Sequence, residues 1–285
     1  MKKLLFQFDT DSHASSFDTV VAYDGGADHV IPHGGLTTEN ISSLVEGTIF
    51  TRPPQYKKNT AIFVGGSDVV AGQAVFQAIQ DQFFPGFQVS IMLDCNGCNT
   101  TSSAAIAKIA SSTSLNGKKA VVLAGTGPVG QRAAALLALE GANVTITSRQ
   151  LASAELACLA MQKRFGVKLT PVAASDCDAR GDAIVDANIV FATGAAGIEL
   201  LKPEHWKNNP TLQVIADANA TPPLGIGGTD MQDKDQQRHG VKVWGALGFG
   251  ALKLALHKRC IETLFDDNKQ VFDAELIFKL AKEMA

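Results

Sequence analysis

The stretch from 118 to 130 reads Lys-Lys-Ala-Val-Val-Leu-Ala-Gly-Thr-Gly-Pro-Val-Gly and is the part of the chain best equipped for chemistry. Gly125, Gly127 and Gly130 stand at the spacing a dinucleotide pyrophosphate requires. The first permits a tight turn, the second lets backbone approach phosphate, and the third lets a helix pack closely on the preceding strand. Thr126, Pro128 and Val129 complete the turn, and Pro128 opens an Ala/Leu-rich helix whose unpaired N–H groups would face the anion. Glycine-rich turns also join strands to helices where no ligand binds. What favours a dinucleotide here is the agreement of an apolar strand over 120–124, the helix that follows, and a second strand over 143–147.

That second strand ends in Ser148 and Arg149, then Gln150, with no acid. NAD-selective sites place a carboxylate about 20 residues beyond the glycines to take the ribose 2′-hydroxyl, whereas an Arg accommodates a 2′-phosphate. A hydroxyl beside a guanidinium makes charge-assisted hydrogen bonds to that phosphate, and a carboxylate would repel it. NADP is the expected cofactor, with NAD as a weaker alternative. The competing reading leaves Arg149 as a solvated cation or a stacking partner for adenine. Further polar groups gather at predicted strand ends: Asp9 to Asp11, Gly65 to Asp68, Asp94 to Thr101 with Asn99 and Thr100, Thr193-Gly194-Ala195, and Asp217 with Asn219. Any one of these is an ordinary turn or cap residue. Together they mark the edge at which open α/β sheets bind ligands.

The elements that must carry these groups alternate along the chain. Strands are expected over 4–8, 61–64, 89–93, 120–124, 143–147, 169–172, 189–192 and 214–216. A helix or extended segment is expected over 17–23, and a Thr-capped helical segment over 37–45. Helices follow over 69–83, 102–111, 151–165, 250–265 and 272–284, with 95–101 as a loop. Such alternation predicts parallel strands with crossover helices, hence two α/β domains. The expected N-terminal parallel-sheet domain spans 1–100 plus 266–285, and the Rossmann-type domain spans 101–265. The last helix packs back on the first domain, and a ligand cleft lies between the two.

Composition bounds the function classes. The chain has 285 residues, 46% hydrophobic and 19% charged, enough for two ordinary cores. A net charge of −3 gives no attraction to nucleic acid or an anionic membrane surface, and no apolar run approaches the roughly 20 residues of a membrane span. The amino-terminal apolar run is too short for a signal peptide and stops at Asp9, so it reads as a first strand. Five scattered cysteines suit a reducing cytoplasm. Cys95 and Cys98 form a CxxC without the second pair that structural zinc needs, and Pro32 separates His29 from His33, so no metal is expected.

Several strings occur in one order: Phe8-Asp9-Thr10-Asp11, Tyr23 to Asp28, Ala61 to Gly66, Leu93-Asp94 with Asn99 to Thr101, Val122 to Gly130, Pro222 to Gly228, and Gly245-Ala-Leu-Gly248 followed by Leu252-Lys253-Leu254. From Lys3 to the carboxyl terminus the chain resembles the bacterial methylene-tetrahydromethanopterin dehydrogenases of methylotrophs, in particular the NADP-dependent type that also accepts methylene-tetrahydrofolate. The resemblance implies a pterin in the interdomain cleft, NADP on the Rossmann half, and a homo-oligomer, a trimer or a hexamer. It departs from the family pattern at Cys95 and Cys98, where small polar residues are usual, and at Gln150, where a second basic residue is usual.

The implied reaction oxidises a methylene bridge between two pterin nitrogens to a methenyl cation, with hydride passing to the nicotinamide. The nitrogen lone pairs stabilise the cation and no proton moves, so the protein supplies alignment and electrostatics and needs no general base. Asp18, Asp24 and Asp94 are the candidate charges of the N-terminal half. Lys253, placed in an apolar run, is the candidate catalytic side chain, against the alternative of a lysine on a wet helix face. Two other functions stay open on the residues alone. One is a shikimate- or glutamyl-type NADP dehydrogenase acting on a hydroxyl or carbonyl; the other is an NADP-sensing protein without turnover.

Overall fold

The computed structural model describes all 285 residues. The first part of the chain runs β1 (Leu4–Asp9), α1 (Ser16–Asp24), β2 (His29–His33), α2 (Ser42–Phe50), β3 (Thr60–Gly65), α3 (Val69–Gln80), β4 (Ser90–Leu93) and α4 (Cys98–Ser112). Next come β5 (Lys119–Leu123), α5 (Pro128–Leu139), β6 (Asn143–Ser148), α6 (Leu151–Phe165), β7 (Thr170–Ala173), α7 (Cys177–Ala183) and β8 (Ile189–Ala192). The remainder is α8 (Pro203–Trp206), β9 (Val214–Asp217), β10 (Gln236–Arg238), β11 (Val241–Trp244), α9 (Ala246–Thr263), β12 (Val271–Phe272) and α10 (Ala274–Met284). The chain folds as two compact units, Met1–Thr100 with Leu254–Leu280, and Thr101–Lys253 with Ala281–Ala285.

Unit 1 is built on a five-stranded sheet in the order β12-β4-β3-β1-β2, parallel throughout. Helices on a parallel sheet cover both of its faces, so its inner strands must be apolar on both sides. β3 accordingly is buried along its whole length, and Phe8, Ile62, Val64, Ile91 and Leu93 pack with Val45, Ile49, Val75 and Ile79 of α2 and α3. β2 is an edge strand paired only with β1. That position tolerates Pro32, which has no N–H to give a second neighbour. The order reverses between β1 and β3, where two crossover connections part and leave a crevice at the strand carboxyl ends.

Unit 2 has a seven-stranded sheet in the order β10-β11-β9-β8-β5-β6-β7. From β7 to β11 this is the doubly wound dinucleotide-binding order, with the reversal between β5 and β8, and β10 is added antiparallel at the far edge. Val121, Leu123, Val190 and Ile215 pack with Trp206 in its core. The dinucleotide helix starts at Pro128 as expected, because proline at the first helical position needs no hydrogen-bond partner. α6 ends at Gly166, whose φ of +69 makes the left-handed cap that glycine takes without strain.

The expected elements differ from the fold in three places. The segment over 37–45 is not a Thr-capped helix: Thr37 and Asn40 close a polar turn, and α2 starts only at Ser42. The expected loop over 95–101 is mostly helical, since α4 begins at Cys98 and takes Asn99 and Thr100 into its first turn. The short strands β2, β10, β11 and β12 were not among the expected elements: β2 bears a proline, β10 is polar, β12 has two residues, and β11 is a four-residue run, Val-Lys-Val-Trp.

Candidate functional site

At the unit 2 reversal point the backbone is moulded by the three glycines. A Cβ on Gly125 would lie 2.9 Å from Val122 Cγ1, and one on Gly130 would lie 2.6 Å from both Gly125 Cα and Thr193 Oγ1. Those two positions admit no side chain because turn, helix and β8 meet there. Gly127 differs: a Cβ there would meet nothing within 4 Å. It caps α5 without any side-chain acceptor, and Thr126, Gly127, Pro128 and Val129 are all partly exposed at the start of that helix. A glycine turn with room at Gly127, leading into a helix N-terminus, has the backbone donors and the space that a diphosphate requires. Gln131 Nε2 donates to Thr126 O at 2.6 Å and fixes the far side of the turn.

The neighbouring strand ends complete the edge. Ser148 closes β6 half-buried, and Arg149 after it is exposed. Thr193 follows β8 and turns its hydroxyl inward, donating to Leu123 O at 3.0 Å. Gly194 lies against Leu200, and Ala195 is exposed. Asp217, 1% exposed at the end of β9, accepts from Asn219 N and Ile226 N, each at 2.9 Å. Asn219 accepts from Thr221 N at 2.8 Å and donates to Pro223 O at 3.1 Å. Asp217 and Asn219 therefore shape the loop after β9 from within. Burial pushes the Asp217 carboxyl above its ordinary value, against the lowering effect of backbone N–H groups from Asn219, Ile226 and Gly225.

At the unit 1 reversal point, Asp9 ends β1 and Gly65 ends β3. Asp9 is buried and accepts from Asp11 N at 2.9 Å and Ser15 N at 3.0 Å, which folds the β1–α1 connection and seats Ser15 as the α1 cap. Asp11 accepts from Ser67 N at 3.0 Å and Ser67 Oγ at 2.8 Å, tying the loops after β1 and β3 together. Gly66 has a φ of +122, and a Cβ there would overlap Thr10 Oγ1. Asp18, in the first turn of α1, joins this group: a Cβ on Gly65 would lie 3.4 Å from Asp9 Oδ2 and 3.7 Å from Asp18 Oδ2.

Of the other expected residues of this half, Asp94, Asn99 and Thr100 stand at the adjoining end of β4, where Asn96 N–H donates to Gly66 O at 2.8 Å, and Asp24 lies elsewhere. Asp94 Oδ1 accepts from Asn99 N at 2.9 Å and Thr100 N at 3.1 Å, while its Oδ2 accepts from Thr100 Oγ1 at 2.6 Å. Asn99 Nδ2 donates to Leu93 O at 2.7 Å. The three are brought together, but as a buried network that starts α4. Asp24 stands at the opposite end of α1 from Asp18, about 9 Å along the axis, and pairs with Lys258 at 2.7 Å. Lys253 lies half-buried on α9 beside buried Leu252. One turn on, His257 is fully buried and stacks on Phe63 at 5.4 Å between ring centroids.

Buried carboxylates give the unit 1 edge a negative potential. Cys95 registers it: burial first, then Cys98, Asp94, Asp9 and Asp18 push its thiol well above the ordinary value. Cys95 is thus a neutral packing group, and a Cβ on Gly72 would overlap its sulfur. Asp9, Gly65 and Gly66 were legible as strand-end groups on a ligand edge; the strand order that makes them direct neighbours joins segments far apart in the chain.

The family profile described as methylene-tetrahydromethanopterin dehydrogenase, N-terminal, matches residues 16–96. Among solved structures, ligand-free 5-ketofructose reductase of Gluconobacter sp. strain CHM43 superposes with a TM-score of 0.54 at 16% identity, over 100% of this chain and 99% of that one, a likeness of fold. The sequence relatives go further. The chain is 53% identical to the "Bifunctional protein MdtA" of Methylorubrum extorquens, over 100% of this chain and 99% of the relative. It is 32% identical to the NAD(P)-dependent methylenetetrahydromethanopterin dehydrogenase of the same organism, over 96% of this chain and 95% of that one. Identity of that extent runs through both sheets and both reversal points, and the chain belongs to the methylene-tetrahydromethanopterin dehydrogenase family.

Proposed function

We propose that this chain is an NADP-dependent oxidoreductase of one-carbon metabolism. It transfers a hydride between the methylene carbon of methylene-tetrahydromethanopterin, and of methylene-tetrahydrofolate, and the nicotinamide, giving the methenyl form. The observation that carries this reading is the glycine cradle at the β5/β8 reversal in a chain that aligns along its length with an NAD(P)-dependent methylenetetrahydromethanopterin dehydrogenase.

Gly125 to Gly130 hold the diphosphate on α5, and Ser148 with Arg149 hold the 2′-phosphate. Thr193, Gly194 and Ala195 border the nicotinamide half. Asp18 and the Gly65-Gly66 turn are the unit 1 groups we assign to the pterin. When bound, the nicotinamide supplies a two-electron acceptor for the hydride, and a cationic methenyl product remains. The chain's residues then have to orient the two rings and tolerate that positive charge. Asp9 and Asp94 suit the second of these roles. Each is committed to backbone N–H groups, so neither is poised to take a proton, yet both contribute negative potential. Lys253 is the side chain we assign to tuning the reaction.

The enzyme acts on small molecules in the cytoplasm. A homo-oligomer, a trimer or a hexamer, is what the family resemblance implies, and we read the exposed Leu156 and Leu159 on α6, at 69% and 60% exposure, as part of the contact between copies. No helix is long and apolar enough to cross a membrane. Initial rates of NADP and NAD reduction with each methylene-tetrahydropterin, run beside a hydroxy acid such as shikimate, test the assignment. Reduction with the pterins and none with the hydroxy acid is expected; the reverse would overturn it.

A further inference from the structure

The dinucleotide turn contains a strained residue. Ala124 sits between β5 and Gly125 with a φ of +50, in the left-handed region that a residue with a Cβ rarely enters. Hydrogen bonds approach this kink from both sides. Ala124 N–H donates to Thr147 Oγ1 at 3.1 Å, and the next amide, Gly125 N–H, donates to Thr147 O at 3.0 Å. From the other side, Thr193 N–H and Thr193 Oγ1 both donate to Leu123 O, each at 3.0 Å. Two consecutive amides thus converge on one residue, its hydroxyl taking the first and its carbonyl the second. Thr147 is 1% exposed and has no direct access to a ligand. Its immediate successors are Ser148 and Arg149.

We propose that Thr147 is the positioning residue of the dinucleotide site. Its hydroxyl latches Ala124 in the left-handed conformation and thereby sets the direction in which the Gly125–Gly127 backbone meets the diphosphate. The regular β5–β6 pairing ends at Val122 opposite Ile146, one residue short of Thr147, so ladder hydrogen bonds alone do not impose this geometry. Without the hydroxyl, the Ala124 amide loses its acceptor and the kink loses the contact that offsets its strain. The same residue anchors the strand end that carries Ser148 and Arg149, so the diphosphate turn and the 2′-phosphate reader share one fixed point. The latch acts on the part of the site common to NADP and NAD, so it governs affinity for both, whereas Arg149 governs the choice between them.

This inference rests on the reading of unit 2 as a dinucleotide site, and the test separates the two. Calorimetric titration of the parent protein with NADP and NAD comes first; failure to bind either dinucleotide overturns the proposed function itself. With a binding parent, Thr147→Val keeps the branched shape and removes the acceptor. It should weaken both dinucleotides by about tenfold and raise KM while leaving kcat within about twofold. Thr147→Ser, which keeps the hydroxyl, should stay within about twofold of the parent. Should Thr147→Val not fold, Thr147→Ala is read in the same way, since it lacks the same acceptor. Unchanged binding in the variant without the hydroxyl, loss confined to NADP, or a Thr147→Ser variant as weak as Thr147→Val would each overturn the role of Thr147.

Discussion

Arg149 and Lys253 carry the most direct chemical claims. Arg149 is exposed beside half-buried Ser148 at the end of β6, where a guanidinium can meet a 2′-phosphate without first giving up a partner in the core. Arg149→Ala should raise the KM for NADP by at least about tenfold and change that for NAD by much less, because one charge-assisted contact is worth roughly 1.5–3 kcal/mol. Equal losses for the two cofactors, measured by steady-state kinetics, would assign Arg149 to adenine stacking. The role proposed for Lys253 is in the reaction and not in dinucleotide binding, so Lys253→Ala should lower kcat by about tenfold or more with the NADP KM held within about twofold. A raised KM at unchanged kcat would make it a binding residue.

Among the elements, the turns after β9 and β4 show how carboxylates build the edge. Asp217 is buried under the loop it organises, and burial holds its carboxyl above the ordinary value. A raised acid favours the fold while protonated. That contribution is complete below the ordinary carboxylate value and is lost as pH rises through the raised one. Asp217→Asn should therefore flatten the dependence of stability on pH above the ordinary carboxylate range, in urea unfolding at a series of pH values. It should also cost about 1–3 kcal/mol, since an amide presents one oxygen to two backbone N–H groups. An unchanged pH slope would remove Asp217 from the linkage. The start of α4 explains one limit of sequence reading. Asn99 and Thr100 look like loop residues, but the Asp94 carboxylate collects both of their N–H groups and draws the helix back to Cys98. The glycine turn, by contrast, was legible because strand, turn and helix are contiguous and each residue type has one physical reason. β2 was hidden by Pro32 and its two histidines, which only an edge position accommodates. In unit 1 the strand-end groups were legible, but not which of them adjoin. Asp9 and Gly65 are 56 positions apart and become neighbours through the pairing of β1 with β3, register information that no local pattern contains.

The whole chain divides its labour between two sheets, each with a reversal of strand order and a crevice at its own carboxyl edge. Its thiols take no part in this. Cys95, Cys98, Cys158 and Cys260 are buried and Cys177 is half-buried, while burial pushes the thiols of Cys95, Cys158 and Cys260 up. One fast-reacting thiol, Cys177, should appear when the folded protein is titrated with a disulfide reagent near neutral pH, and all five after denaturation. Rapid reaction at Cys95 or Cys98 would contradict the packing described for them. The chemistry assigned to the chain is a hydride transfer that no protein base assists, and isotopic labelling tests it most directly. Methylene-tetrahydromethanopterin deuterated at the methylene carbon is incubated with NADP and the enzyme in ordinary water, and the reduced cofactor is examined by mass spectrometry and NMR. One deuterium at nicotinamide C4 per methenyl-pterin formed, at a rate that varies little across the neutral pH range, is the result predicted. Reduced cofactor without deuterium, or a rate limb in pH that disappears when a single Asp or His is replaced, would contradict it.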